Sequence, residues 1–158
     1  MIDERKARAF LALGRIAVVG ASADGRQFGN VVVRALRDHG LDVVAVHPMA
    51  TTVAGEAAYP DLASVPGRLD GVMVMVPASR AVDVVHACAE RGIGHVWLFK
   101  GLGSPGALSD EAVAACEDAG IEVVAGACPL MFLEPAGLVH RIHRAARRAN
   151  HSLARPAA

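Results

Sequence analysis

Ile16-Ala17-Val18-Val19-Gly20-Ala21-Ser22-Ala23-Asp24-Gly25-Arg26-Gln27-Phe28-Gly29-Asn30 is the stretch that decides the fold. Its first four residues are apolar without a break and stop at a glycine. So short and continuous a run reads as a strand buried on both faces, as in a parallel sheet. A loop from Gly20 to Gly29 follows. Helix signals begin near Asn30, with Val32, Val33 and Leu36 on one face and Gly40 at the C-terminal stop. A glycine-rich turn between a buried strand and a helix is the setting of a phosphate site. Free N–H groups at the helix start, and the helix dipole, favour an anion. Gly20 and Gly29 let backbone come close, Ser22 adds a hydroxyl, and Arg26 can add a charge-assisted bond. The plain alternative is a tight turn that holds nothing.

The same unit recurs along the chain. Val43–Val46 reads as a strand broken by His47-Pro48, and Gly71–Val76 as another broken by Pro77. Ser79 is placed to cap a helix carrying Val82, Val85 and Ala89, which Gly92 ends. His95–Phe99 is a strand. Ser109 caps a helix with Asp110 and Glu111 in its first turn, where the dipole favours acids, and Gly120 ends it. Glu122–Ala125 is a strand, Asp3–Leu13 a short leading helix, and 136–150 a last helix before a frayed tail. Val53–Tyr59 adds a short edge strand. Strand and helix alternating with short links predict an α/β fold: a Rossmann-like, doubly wound parallel sheet in a single domain. About five strands in the order 3-2-1-4-5, with helices on both faces, are expected. Ligands in such sheets sit at the carboxyl ends of the strands where the order reverses. That rule gathers Gly20–Asn30, His47-Pro48, Pro77–Arg80 and Phe99–Gly103 around one crevice.

Composition narrows the function classes. The 158 residues suit one core, and 53% are apolar, which fits a folded domain rather than a disordered one. Net charge is zero and aromatics make up 4%, so neither a basic field nor a stacking surface for nucleic acid is present. The purest apolar run, Val72–Val76, is far too short for a membrane span. The N-terminus carries Asp3 and Glu4 where a secretory signal wants only bases, so a cytoplasmic protein is expected. Cys88, Cys116 and Cys128 are odd in number and widely spaced, a poor disulfide framework, and they match no zinc-site spacing.

The kind of phosphate ligand is set by what the turn lacks. No Gly-Lys-Ser/Thr follows, which excludes a Walker A loop, and Ser22 stands where the second glycine of G-x-G-x-x-G belongs. A dinucleotide fold places Asp or Glu at the end of its second strand to hold the adenosine ribose. Here that place holds His47-Pro48, and no acid lies between Asp42 and Glu56. NAD binding is disfavoured.

Strand-Gly20-Ala21-Ser22, Val46-His47-Pro48, Gly55 with Tyr59-Pro60, Leu69-Asp70-Gly71-Val72, Val96-Trp97-Leu98, and Gly120-Ile121 leading to Cys128-Pro129 occur in that order. Together they resemble the small standalone CoA-binding domain proteins, relatives of the nucleotide-binding domain of the succinyl-CoA synthetase alpha subunit. The likeness runs from about Arg15 to Pro129. It implies a site for coenzyme A (CoA) or an acyl-CoA. Gly20, Ala21, Ser22 and Ala23 would meet the pyrophosphate, with Arg26, Phe28, Gly29 and Asn30 completing the turn. His47 and Pro48 would lie near the adenosine. Pro77, Leu98, Phe99 and Lys100 would line the pantetheine path. Arg26, Arg80 and Lys100 are the candidate cations for the 3′-phosphate. On this resemblance residues 15–150 form the CoA-binding domain, 1–14 a helical extension and 151–158 a flexible tail. Three departures stand out: His47 where the family often has Asn, Phe99 where it often has Gln, and Gly126-Ala127 in place of an Asp-Arg pair. Ligase activity is not carried over.

The remaining residues favour plainer roles. His140 and His143 can share a helix face, but no carboxylate or cysteine stands at ligand spacing beside them, so no metal is expected. Cys128 can be a thiol near the ligand's sulfur or a small buried residue. Arg141, Arg144, Arg147 and Arg148 read as a solvated basic helix end. Trp97 reads as core. No nucleophile elbow surrounds Ser104, and no carboxylate pair faces the crevice. The first reading is a non-catalytic module for a small nucleotide ligand, CoA or acyl-CoA; the second is an NAD(P)-binding oxidoreductase-like protein; the third is an interaction protein with an empty turn. No nucleic-acid or membrane partner is expected, and a homo-oligomer is compatible with the sequence.

Overall fold

The structure is a computed structural model, described here for residues 2–24, 27–101, 103 and 106–133. The leading helix α1 (Glu4–Leu11) is capped by Asp3, whose carboxylate accepts from the Arg5 N–H at 3.0 Å. Strand β1 (Arg15–Val19) is followed by helix α2 (Phe28–His39) and strand β2 (Asp42–Val46). The short strands β3 (Thr52–Val53) and β4 (Glu56–Tyr59) form a hairpin. Then come β5 (Gly71–Val74), α3 (Ala78–Glu90), β6 (His95–Phe99), α4 (Asp110–Asp118) and β7 (Glu122–Ala127). A 3-10 turn at Pro129–Met131 follows β7.

One sheet runs in the order β3-β4-β2-β1-β5-β6-β7, parallel throughout except for the β3–β4 hairpin. The α/β, doubly wound reading holds, but the expected five strands in the order 3-2-1-4-5 are corrected to seven. The single edge strand expected over Val53–Tyr59 is a hairpin turned by Ala54 and Gly55 at φ 52° and 84°. Two positive φ angles are what a two-residue hairpin turn needs to match strand twist. Counting that hairpin as the third strand gives 3-2-1-4-5-6, one strand beyond the expected order. Ser79 is not a cap: Pro77 holds the cap position of α3, with no side-chain cap bond. Ser109 does cap α4, its hydroxyl accepting from the Ala112 N–H at 3.1 Å. The last helix expected over 136–150 and the tail lie outside the described residues.

The sheet is buried on both faces, as continuous apolar strands require. α1 and α2 cover one face, placing Phe10, Leu11, Val32, Val33 and Leu36 on Ile16, Val18, Met73 and Trp97. α3 and α4 cover the other, placing Val85, Cys88 and Cys116 on Val72, Val74, Val96 and Leu98. The long link between β4 and β5 is tied down by two arginines. Arg91 donates to the carbonyls of Leu62, Val65 and Gly67, and Arg15 to those of Pro66 and Arg68.

Candidate functional site

The chain order reverses between β1 and β5, so the crevice rule applies at their carboxyl ends. The sheet places β2, β1, β5 and β6 side by side. Their carboxyl ends therefore bring Gly20–Ala23, His47-Pro48, Pro77–Arg80 and Leu98–Lys100 to one edge. Arg26, the remaining candidate cation, lies outside the described residues.

Gly20 opens the site. Its φ is +106°, and a Cβ there would lie 2.7 Å from both the Met75 carbonyl carbon and the Val76 nitrogen. The Met75 N–H donates to the Val19 carbonyl at 2.7 Å, so the chain leaving β5 runs directly beneath the turn. A Cβ on Gly29 would lie 3.0 Å from the Ala21 Cα, so the start of α2 presses onto the same turn from above. Ser22 Oγ accepts from the Asp24 N–H at 3.4 Å, and Ala23 and Asp24 are exposed.

Two helix starts converge here without the usual caps. Gln27 caps α2 and Pro77 caps α3 with no side-chain hydrogen bond, and neither helix has an acid in its first turn. By contrast α4 has its Ser109 cap and Asp110 and Glu111. Among the described residues the positive poles flanking the switch point thus lack a side-chain cap and a first-turn acid, while that of α4 has both. Next to them stands Asn30, the third residue of α2. It is fully buried, and among the described residues its amide nitrogen and oxygen have no hydrogen-bond partner. A buried amide left without a partner costs about 1–3 kcal/mol.

At the end of β2, His47 has a task that the sequence did not disclose. Its Nδ1 accepts from the N–H groups of Met49 at 3.1 Å and Ala50 at 2.9 Å. An asparagine oxygen would hold the same turn, because Asx side chains accept from main-chain N–H groups just downstream. Through Nδ1 the histidine thus makes two main-chain contacts of a kind that an asparagine oxygen can make. The other two departures also have structural partners. Phe99 packs on Phe28, ring centroids 5.6 Å apart, and Phe28 remains 46% exposed at the crevice. Gly126 is the extra residue of a bulge: Leu98 pairs with Ala125 and Phe99 with Ala127, and Gly126 has φ +79°. The Ala127 carbonyl accepts from the Lys100 N–H at 3.4 Å and from the Trp97 indole at 2.9 Å, which fixes Trp97 as core.

The other expected residues divide by exposure. Pro48, Pro77, Arg80 and Lys100 are exposed along the edge. Leu98 is fully buried against α3 and α4, so its side chain supports the crevice from below. Cys128 is half-buried beside the Trp97 layer. Cys88 and Cys116 lie in the core, and burial pushes their thiols up to about 12 and about 11, with lesser contributions from Cys116 and Glu117 respectively. Sequence reading named residues that the sheet brings to this edge but missed the Met75–Val76 floor, the His47 turn and the unlike capping of α2, α3 and α4. Only the last left a signal, in Gln27 and Pro77 standing where Ser, Thr, Asp or Asn would cap.

Among the described residues no helix is long and apolar enough to cross a membrane, and no three His, Cys, Asp or Glu side chains group as metal ligands do. Residues 14–134 match the CoA binding domain family. The chain is 31% identical over 118 residues to acetate–CoA ligase [ADP-forming] I of Archaeoglobus fulgidus, across 72% of this chain but only 17% of that protein. It superposes on a hypothetical protein from Pyrococcus horikoshii with a TM-score of 0.73 at 27% identity, covering 82% of this chain and 89% of the other. It also resembles the dinucleotide-forming acetyl-coenzyme A synthetase 1 of Ca. Korarchaeum cryptofilum, solved with phosphate and ADP, at a TM-score of 0.64 and 26% identity, over 75% of this chain and 27% of that one. A family match across the whole sheet, from just before β1 to just past the final 3-10 turn, makes this chain a member of the CoA binding domain family.

Proposed function

We propose that the chain binds coenzyme A or an acyl-CoA at the β1–β5 switch point, as a binding, carrier or sensor module that performs no chemistry of its own. The observation that carries the reading is the family match over 14–134, which spans every strand and the crevice they build. The two uncapped helix starts support it, since CoA presents a pyrophosphate and a 3′-phosphate. In this reading Gly20, Ala21, Ser22 and Ala23 hold the pyrophosphate with Gly29 and Asn30 behind them. His47 and Pro48 flank the adenosine, and Pro77, Phe99 and Lys100 follow the pantetheine. Arg26, Arg80 and Lys100 compete for the 3′-phosphate. Three free thiols are in keeping with a reducing cytoplasm.

Ligand-dependent melting tests it. A ligand that prefers the native state at 100 times its dissociation constant adds about 2.7 kcal/mol of stability. CoA is expected to raise the melting temperature, NAD(P)H to leave it unchanged, and Ser22→Ala and Arg26→Ala to weaken the CoA effect. A shift with NAD(P)H and none with CoA would reverse the assignment. The oxidoreductase reading draws no support from the end of β2, where His47-Pro48 stand and no acid lies between Asp42 and Glu56.

A further inference from the structure

The middle of the turn after β2 is held by one lone pair, while its two ends are tied to β4 by main-chain bonds, the Ala58 N–H donating to the Thr51 carbonyl at 2.9 Å. Nδ1 of His47 receives two N–H groups, from Met49 and Ala50. An imidazole nitrogen accepts only while it carries no proton. The neutral ring is therefore the tautomer protonated on Nε2, and a doubly protonated ring has no acceptor left. The His47 main-chain N–H donates to the Tyr59 carbonyl at 2.8 Å, so the backbone stays fastened to β4 whatever the ring does. What depends on the ring is the Pro48–Ala50 turn at the carboxyl end of β2.

We propose that His47 is a positioning residue that makes the ligand crevice proton-sensitive: its unprotonated Nδ1 fixes the Pro48–Ala50 turn, and protonation of the ring releases the turn and weakens the ligand held against it. The proposal rests on the CoA reading and adds its regulation. The charged and titratable groups on the surrounding elements do not offer the ring another role. β4 contributes Tyr59 and Glu56, the latter paired with Arg37 of α2 at 3.2 Å. The segment after β4 contributes Asp61, whose carboxylate accepts from the N–H and hydroxyl of Ser64, both at 2.7 Å. The turn after β1 contributes Asp24 and the start of α3 contributes Arg80. Among the described residues the hydrogen-bond partners of the His47 ring are the N–H groups of Met49 and Ala50. Asparagine at this place would fix the same turn with an oxygen that does not titrate.

The test uses the full chain. Nitrogen-15 NMR of the imidazole is followed from about pH 8 to about pH 5, the range in which imidazole side chains change charge. Nδ1 is expected to be bare at the upper end, and the Met49 and Ala50 amide signals are expected to move and exchange faster as the ring gains its second proton. In His47→Asn those amides should not move. Calorimetric CoA affinity should fall on acidification at least about fivefold more in the wild type than in His47→Asn, the ligand's own phosphates titrating alike in both. A proton on Nδ1 at the upper end, amides indifferent to the ring, or the same acid loss in His47→Asn would each overturn the proposal. If CoA binds neither protein at either pH, the CoA reading fails, and the amide signals still decide the turn: moving with the ring upholds it, standing still overturns it.

Discussion

Gly20 and Asn30 give up stability in opposite ways. At Gly20 the backbone is in the left-handed region and another stretch of main chain lies where a Cβ would go. Gly20→Ala is therefore expected to cost upwards of about 2 kcal/mol, read as a lowered denaturation midpoint, because neither wall is a movable side-chain tip. Asn30 is the reverse case. Asn30→Ala removes a buried amide that has no partner among the described residues, at the cost of a small void, so the melting temperature should hold or rise while CoA affinity falls. A drop in stability of more than about 1 kcal/mol would show that the amide has a native partner after all. The sequence displayed both residues, since a glycine at a strand end and the opening of a helix are local patterns. It could not display why they matter. Met75–Val76 reaches Gly20 only through the β1–β5 pairing, and burial of Asn30 only follows from the docking of α2.

The elements legible in the sequence were those with a local signature. Five apolar runs became five parallel strands, and Gly40 and Ser109 took the helix-end positions their types predict. The β3–β4 hairpin was blurred because β3 is two residues long and its turn places Ala54, a residue with no special liking for positive φ, at 52°. Ala54→Gly is expected to stabilise the protein by roughly 0.5–1 kcal/mol, checked by chemical denaturation. Ser79 misled for a related reason: Pro77 starts α3 two residues earlier, and a proline's fixed φ suits a helix start without any capping hydroxyl. The link between β4 and β5 has no periodicity to read, because Arg15 and Arg91 shape it through its carbonyls. Removing the Arg91 head group with Arg91→Met leaves the Leu62, Val65 and Gly67 carbonyls without those donors, which should cost about 1–3 kcal/mol in denaturation.

Across the whole molecule, the layering of α3 and α4 on the sheet sets how the protein responds to base. Cys88 and Cys116 are held at about 12 and about 11, chiefly by burial. The folded chain thus keeps protons that an unfolded chain releases above about 8.5. That contribution is complete below the unfolded value and is lost as pH rises towards the folded ones. Denaturation midpoints should fall on alkalinisation, and Cys88→Ala should flatten that fall. At neutral pH a thiol reagent should modify native Cys128 while sparing Cys88 and Cys116, and should reach all three after unfolding.

The far half of the sheet also carries its own lamp. Trp97 is the chain's sole indole, sealed from water, bonded to the Ala127 carbonyl and flanked edge-on by Phe10 at 5.4 Å and Phe132 at 5.9 Å. Those two rings belong to the leading helix and to the segment just past β7. The emission colour of unlabelled protein therefore reports whether the first and last described parts of the chain are still seated on the sheet, and its reddening would mark the moment they leave.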